Sequence, residues 1–399
     1  MEHRMTPARW FQYPFRIFFL SLAAWSILVI PLWLGNQLAG WKFSPALMPL
    51  LWHEHEMIFG LLMPAVAGFL LTAVCVWTKT ERLHGASLFG LWLVWFGGRA
   101  AITFGGDWPR WIPMALNLAF TGLIFWDVAR RVLPKKQWRQ VPILIVLLAL
   151  LLTQAAVFLV PDVRYQLATL HAALVATCGI MMVIGGRITP AFSGNWLRKE
   201  GRADEASRID NPNWLQHLTL AFIIALTALI ATRAPQSAIA VVAGLAAVGC
   251  LVRILLWRGW YTLQEPMLWI LHLSLLWIPL GFALMVLAQP GPWGEALWGN
   301  NVWSHALGVG AMGGLIIGVM TRVSLGHTGR PLVLPKSQLA AYALIHAGAV
   351  IRVLTAMKWI GDRQVGLILS GVCWSLAFLI FLIPYTPILS LPRVDGKPG

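Results

Sequence analysis

At 399 residues, 58% apolar and only 11% charged, the chain falls well short of the roughly 25% charge of a soluble domain, which excludes a soluble globular fold. Its formal net charge of +15 does not require nucleic acid, because membrane topology and contact with anionic lipid account for it. The composition is that of an all-α, polytopic membrane protein.

A spanning helix needs about 20 apolar residues. Twelve such runs are predicted, near 17–35, 56–77, 87–104, 112–129, 141–160, 166–186, 215–232, 238–256, 267–288, 303–321, 338–357 and 364–384. Together they make one integral-membrane domain over residues 1–399. With the N-terminus cytoplasmic, Lys42, Arg110, Arg164, Arg233, Lys358 and Arg363 fall outside, and Arg99 and Arg352 fall within spans. The other 22 of the 30 basic residues are then inside, so the positive-inside rule predicts that both termini are cytoplasmic.

The first run follows a basic arm, residues 1–16, that includes Arg4, Arg9 and Arg16. Pro31 and Trp33 follow it in place of a small-residue cleavage site, so no cleavable signal peptide is expected. Trp52-His53-Glu54-His55-Glu56-Met57 stands at the outer mouth of the second span. On a continuous helix His53 and His55 point about 200° apart, so both serve one site only if the helix starts after His53. Glu54 and Glu56 either orient the histidines or favour the helix N-terminus through its dipole. The third span carries Arg99 near its outer end.

His171 lies one to two turns into the sixth span, with Cys178 and Met182 on its face. Soft sulfur beside imidazole suits copper, but cysteine and methionine are also ordinary fillers of apolar spans. The four cysteines lie singly in spans without a CxxC, so a disulfide framework, a zinc ribbon and covalent haem attachment are not expected. Residues 187–214 form the longest hydrophilic stretch, too short for a catalytic soluble domain. His217 is expected at the interface, His272 in packing, and His346 is open between packing and a site. Trp41, Trp52, Trp108, Trp111, Trp298 and Trp303 fall at predicted interfaces and read as an aromatic belt.

The organising stretch is residues 304–330, SHALGVGAMGGLIIGVMTRVSLGHTGR. Ala306, Gly310, Gly314 and Gly318 recur every fourth position on one helix face, where a neighbouring backbone or a flat ligand approaches closely. His305 stands beside that face, with Gly308 and Met312 further along it. The GHTGR segment, with His327 and Arg330, reads as a structural turn or an anion contact. His55, His171 and His305 each open an apolar run from the outer side, which suggests three four-helix repeats, 17–139, 140–258 and 265–390.

Ionisable residues within the bilayer are costly and tend to be functional. A single intramembrane histidine ordinarily hydrogen-bonds between helices, but three at one depth favour ligation as a set. Neutral imidazole holds haem iron and copper. A porphyrin also needs an apolar slot, close approach at Gly308, and cations such as Arg99 and Arg352 for its propionates.

These same residues carry a resemblance. LWHEHEMIFG (51–60), AGFLLTAV (67–74), Gly98-Arg99, GGRITPAF (185–192) and His305 through VMTRVSLGHTGR (319–330) are similar to the NnrS family of bacterial membrane proteins. Cys75-Val76 departs from the Pro-Asn that the family tends to show before Trp77-Thr78. The resemblance implies a twelve-helix inner-membrane protein that contains haem b and copper and is linked to nitric oxide metabolism and nitrosative stress. His53, His55, His171 and His305 become candidate metal ligands, with His327 behind them. Nitric oxide or a related small molecule is then the expected partner, beside the lipid bilayer and an electron donor. Turnover, scavenging and sensing remain open readings, and the alternative is a transporter of an anionic metabolite or metal chelate.

Overall fold

The computed structural model describes residues 7–291 and 294–397; Arg4 of the basic arm lies outside them. Among the described residues twelve helices are long and apolar enough to cross a membrane. They are α1 (Pro14–Leu38), α2 (Pro49–Thr78), α3 (Gly85–Phe104), α4 (Trp111–Val132), α5 (Trp138–Leu159) and α6 (Val163–Lys199). After these come α7 (Asn213–Ala231), α8 (Gln236–Leu256), α9 (Pro266–Leu287), α10 (Asn301–His327), α11 (Ser337–Ala356) and α12 (Arg363–Ser390). No strand is present among the described residues. All twelve predicted spans are therefore found, as expected of leucine-, valine- and alanine-rich runs that must satisfy every backbone group internally.

The helices gather into two compact units. The first comprises residues 1–159, 319–341 and 374–399, and the second comprises 160–318 and 342–373. In the first, α2 packs on α1 and α4, and α4 packs on α3 and α5. In the second, α6 packs on α7 and α9, and α8 joins α7 to α9.

Span six runs further than its hydropathy indicates. It continues past residue 186 to Lys199, with Pro190 inside it. Proline has no N–H to offer the carbonyl four residues back, which here is Gly186. The Asn211 amide donates to that oxygen at 2.7 Å, so the helix continues through the proline without an orphaned carbonyl. Asn211 Oδ1 in turn accepts from Arg253 Nε at 3.2 Å and Trp257 Nε1 at 3.1 Å. The same device recurs in the first unit. Pro384 frees the carbonyl of Ile380, and Gln338 Nε2 donates to it at 2.8 Å.

The small-residue face of α10 is a packing face. A methyl group on Gly310 would meet the Trp277 indole at 2.3 Å, one on Gly314 would meet Ser274 Oγ at 2.4 Å, and one on Gly318 would meet Leu271 at 3.0 Å. Gly308 points into open space instead. Gly314→Leu is accordingly expected to destabilise the second unit by about 1–3 kcal/mol through overpacking. Gly308→Leu should leave the unfolding transition in detergent unmoved.

Tryptophan placement divides the predicted belt. Trp41, Trp108 and Trp111 are exposed, whereas Trp52 and Trp303 are buried. Trp52 is turned inward because its Nε1 donates to Thr103 at 3.1 Å.

Candidate functional site

Two helices break their regular hydrogen-bonding pattern directly after a histidine. Residues Glu56–Leu62 follow His55 in α2, and Ala306–Gly313 follow His305 in α10; both are π-helical. A π turn inserts a residue into the helix, re-aims the side chains around it and is frequent at functional sites. His171, by contrast, lies within continuous α-helix.

In the first unit α2 starts at Pro49, ahead of both histidines, so the two imidazoles leave on different sides. His53 stacks on Trp33, with ring centroids 4.5 Å apart and planes at 7°. His55 is fully buried inside a directed chain of hydrogen bonds. The Thr121 hydroxyl donates to Gln154 Oε1 at 2.6 Å, which turns the Gln154 amide nitrogen towards His55 Nε2 at 3.3 Å. Since that amide can only donate, Nε2 carries the lone pair, and the Nδ1 proton goes to Glu56 Oε1 at 3.2 Å. The other Glu56 oxygen pairs with Arg99 Nε at 3.3 Å, and Arg99 Nη2 donates to Asn117 Oδ1. Glu56 therefore orients the histidine and balances a buried cation, and Arg99 is engaged by protein groups.

The second unit holds His171, His305 and His346. His305 Nδ1 donates to the Asn301 carbonyl at 2.5 Å, which fixes the tautomer whose Nε2 is the basic nitrogen. That backing by a carbonyl is how ligating histidines are commonly held. His346 has the opposite tautomer: Trp277 Nε1 donates to its Nδ1 at 3.1 Å, so the proton sits on Nε2 and no basic nitrogen is left for a metal. His272 bonds Ser193 at 2.9 Å and reads as a packing residue.

His171 lines a cavity of about 350 Å³. The Trp303 indole meets its imidazole edge-on, with centroids 5.0 Å apart. Arg164 and Arg233 stand on the same cavity wall with Gln236, Gln289 and Asn300, and Leu167, Ile230, Ile239 and Met285 supply the apolar part. Arg164 pairs with Asp162 at 3.1 Å, outside the cavity lining, and Arg233 lies over the Tyr165 ring at 4.9 Å. Arg164 and Arg233, both on the predicted outer side, thus share a cavity with a candidate histidine. Arg352 lies on α11 within electrostatic range of Arg363. Arg164, which is not among the candidates read from the sequence, stands seven residues, two turns, before His171 on the same helix face.

The GHTGR segment is a structural turn. Gly329 adopts φ +72°, and a side chain there would strike the Asp395 carboxylate at 2.7 Å. Arg393 donates to the His327 carbonyl at 2.7 Å and to Asp395 Oδ2 at 2.5 Å, which ties the C-terminal tail to this turn. The His327 ring lies against Phe15, with centroids 5.5 Å apart. Bonding to Arg393 holds the Asp395 carboxyl at about 2, below its ordinary 3.8. A carboxyl depressed in the folded state stabilises it while ionised. The tail clasp should therefore be constant above about pH 4 and open as the pH falls through about 2, read as protease access to residues 391–397.

Among the described residues no three histidine, cysteine, aspartate or glutamate side chains converge to hold a metal ion. Among the described residues, twelve long apolar helices, histidines at two π turns and a third histidine in a cationic cavity are the features of a multi-pass membrane protein. The NnrS protein family model matches residues 9–393, nearly the whole chain, and the chain belongs to that family. At the level of the family, membership links it to nitric oxide. Comparison with curated proteins finds no match.

Proposed function

We propose that this chain binds haem b in the cavity beside His171 and handles nitric oxide there, in the bacterial inner membrane with both termini cytoplasmic. The observation that carries the reading is the lining of that cavity. An imidazole, an indole and two guanidinium groups stand in an apolar wall around about 350 Å³, within the range of small-molecule and cofactor sites of roughly 300–1,000 Å³. The residue types fit the group: an imidazole for iron, arginines for two carboxylates, and aliphatic and thioether side chains for a flat apolar body.

His171 would hold the iron, and Arg164 and Arg233 would take the acidic substituents, the part first expected of Arg99 and Arg352. Trp303, edge-on to the imidazole, fixes the plane in which His171 presents its nitrogen. Haem bound there supplies an iron centre that takes up nitric oxide and exchanges electrons. Leu167, Ile230, Ile239 and Met285 would pack against the apolar body of that group, and Gln236, Gln289 and Asn300 would offer hydrogen bonds at its polar edge. For copper the described residues bring no three-ligand set together, so no role is assigned to it.

The test is the absorption spectrum of the purified full-length protein, oxidised and reduced, with and without nitric oxide. A haem band that shifts on adding the gas supports the reading. A colourless protein that moves an anionic solute across haem-free vesicles supports the transporter alternative instead.

A further inference from the structure

In the first unit, four arginines come from four separate segments that are tied together. Arg9 comes from the N-terminal arm, Arg16 from the first turn of α1, Arg330 from the turn after α10, and Arg393 from the tail after α12. Hydrogen bonds between these segments bring them together. Arg16 Nη1 donates to the carbonyls of Leu389 at 2.5 Å and Leu391 at 3.0 Å, and Val394 N donates to Thr328 O at 3.2 Å. Arg9, Arg330 and Arg393 all lie within electrostatic range of Arg16. Asp395 neutralises Arg393. Arg330 Nη1 is buried and has no hydrogen-bond partner among the described residues.

The unpaired buried N–H of Arg330 costs free energy. That cost falls when an anion with several acceptor oxygens enters, because guanidinium forks match phosphate geometry. The arginines stand at the ends of membrane spans, within reach of lipid headgroups. We propose that Arg330, with Arg9 and Arg16, forms a binding site for a phosphate group, presented by an anionic phospholipid or as a free phosphate. The site is independent of the haem reading.

The test uses the full-length protein, delipidated in detergent and titrated by native mass spectrometry with phosphatidylglycerol and with phosphatidylcholine. In parallel, inorganic phosphate is followed by phosphorus NMR line width. Phosphatidylglycerol should bind at least about tenfold more tightly than phosphatidylcholine, and Arg330→Gln should abolish the preference. Line broadening by inorganic phosphate that is lost in Arg330→Gln, without lipid preference, would assign the site to a free anion. Should Arg330→Gln fail to fold, Arg330→Lys and Arg9→Gln give the same reading, the first retaining binding and the second weakening it. Equal binding of both lipids and no phosphate broadening in the wild type would overturn the proposal, as would binding unchanged in these variants.

Discussion

Arg99→Met is expected to destabilise the first unit by about 3–5 kcal/mol, the cost of breaking a buried ion pair by removing one partner. Glu56 is fully buried and Arg99 is 5% exposed, so the carboxylate left behind would have no water to turn to. The damage should also spread along the hydrogen-bond chain. Asn117 loses its guanidinium donor, and His55 is left against an uncompensated charge. Removing both charges together, as Glu56→Gln with Arg99→Met, leaves no uncompensated ion and should recover a large part of the loss. Denaturant unfolding in mixed micelles measures both variants. A double mutant less stable than either single one would show that the pair is net stabilising.

Asn211→Ala should lower the stability of the second unit by about 2–4 kcal/mol, since it strands several buried groups at about 1–3 kcal/mol each. The Gly186 carbonyl loses the donor that replaces the missing Pro190 N–H. Arg253 keeps Met182 O at 2.9 Å and Gln216 Oε1 at 3.1 Å but loses its bond from Nε, and the Trp257 indole loses its acceptor. Asn211→Ala combined with Pro190→Ala restores the helix hydrogen bond, so the two changes together should cost less than their sum. Strict additivity would refute the pairing of these residues. Thermal unfolding followed by tryptophan fluorescence reports it, because Trp257 is one of the groups exposed.

How much of this was readable beforehand depends on whether the signal is local. The spans were legible because each is a run of residues that lipid alone selects. The face of Gly310, Gly314 and Gly318 was legible because its period is that of a helix. The continuation of α6 through Pro190 was not, since the residue that permits it, Asn211, lies 25 positions from the carbonyl it bonds. The π turns were also hidden: one inserted residue changes neither composition nor hydropathy, though both follow the histidines that the sequence singles out. Arg99 stood out as an intramembrane cation, but its partner Glu56 is on another helix, and the sequence left that glutamate between orienting a histidine and favouring a helix end. Arg164 carried a signal that went unread, since it stands two turns before His171 on the same helix face.

On the proposed function, His171 would present its imidazole to haem in a cavity whose arginines would receive the acidic groups. Haem content and the visible spectrum of His171→Ala, purified beside the wild type and exposed to nitric oxide, test it most directly. This variant, folded by circular dichroism, is expected to lose the pigment or to show a displaced band with an altered response to the gas. Wild-type haem content with an unchanged spectrum and response in His171→Ala would contradict it.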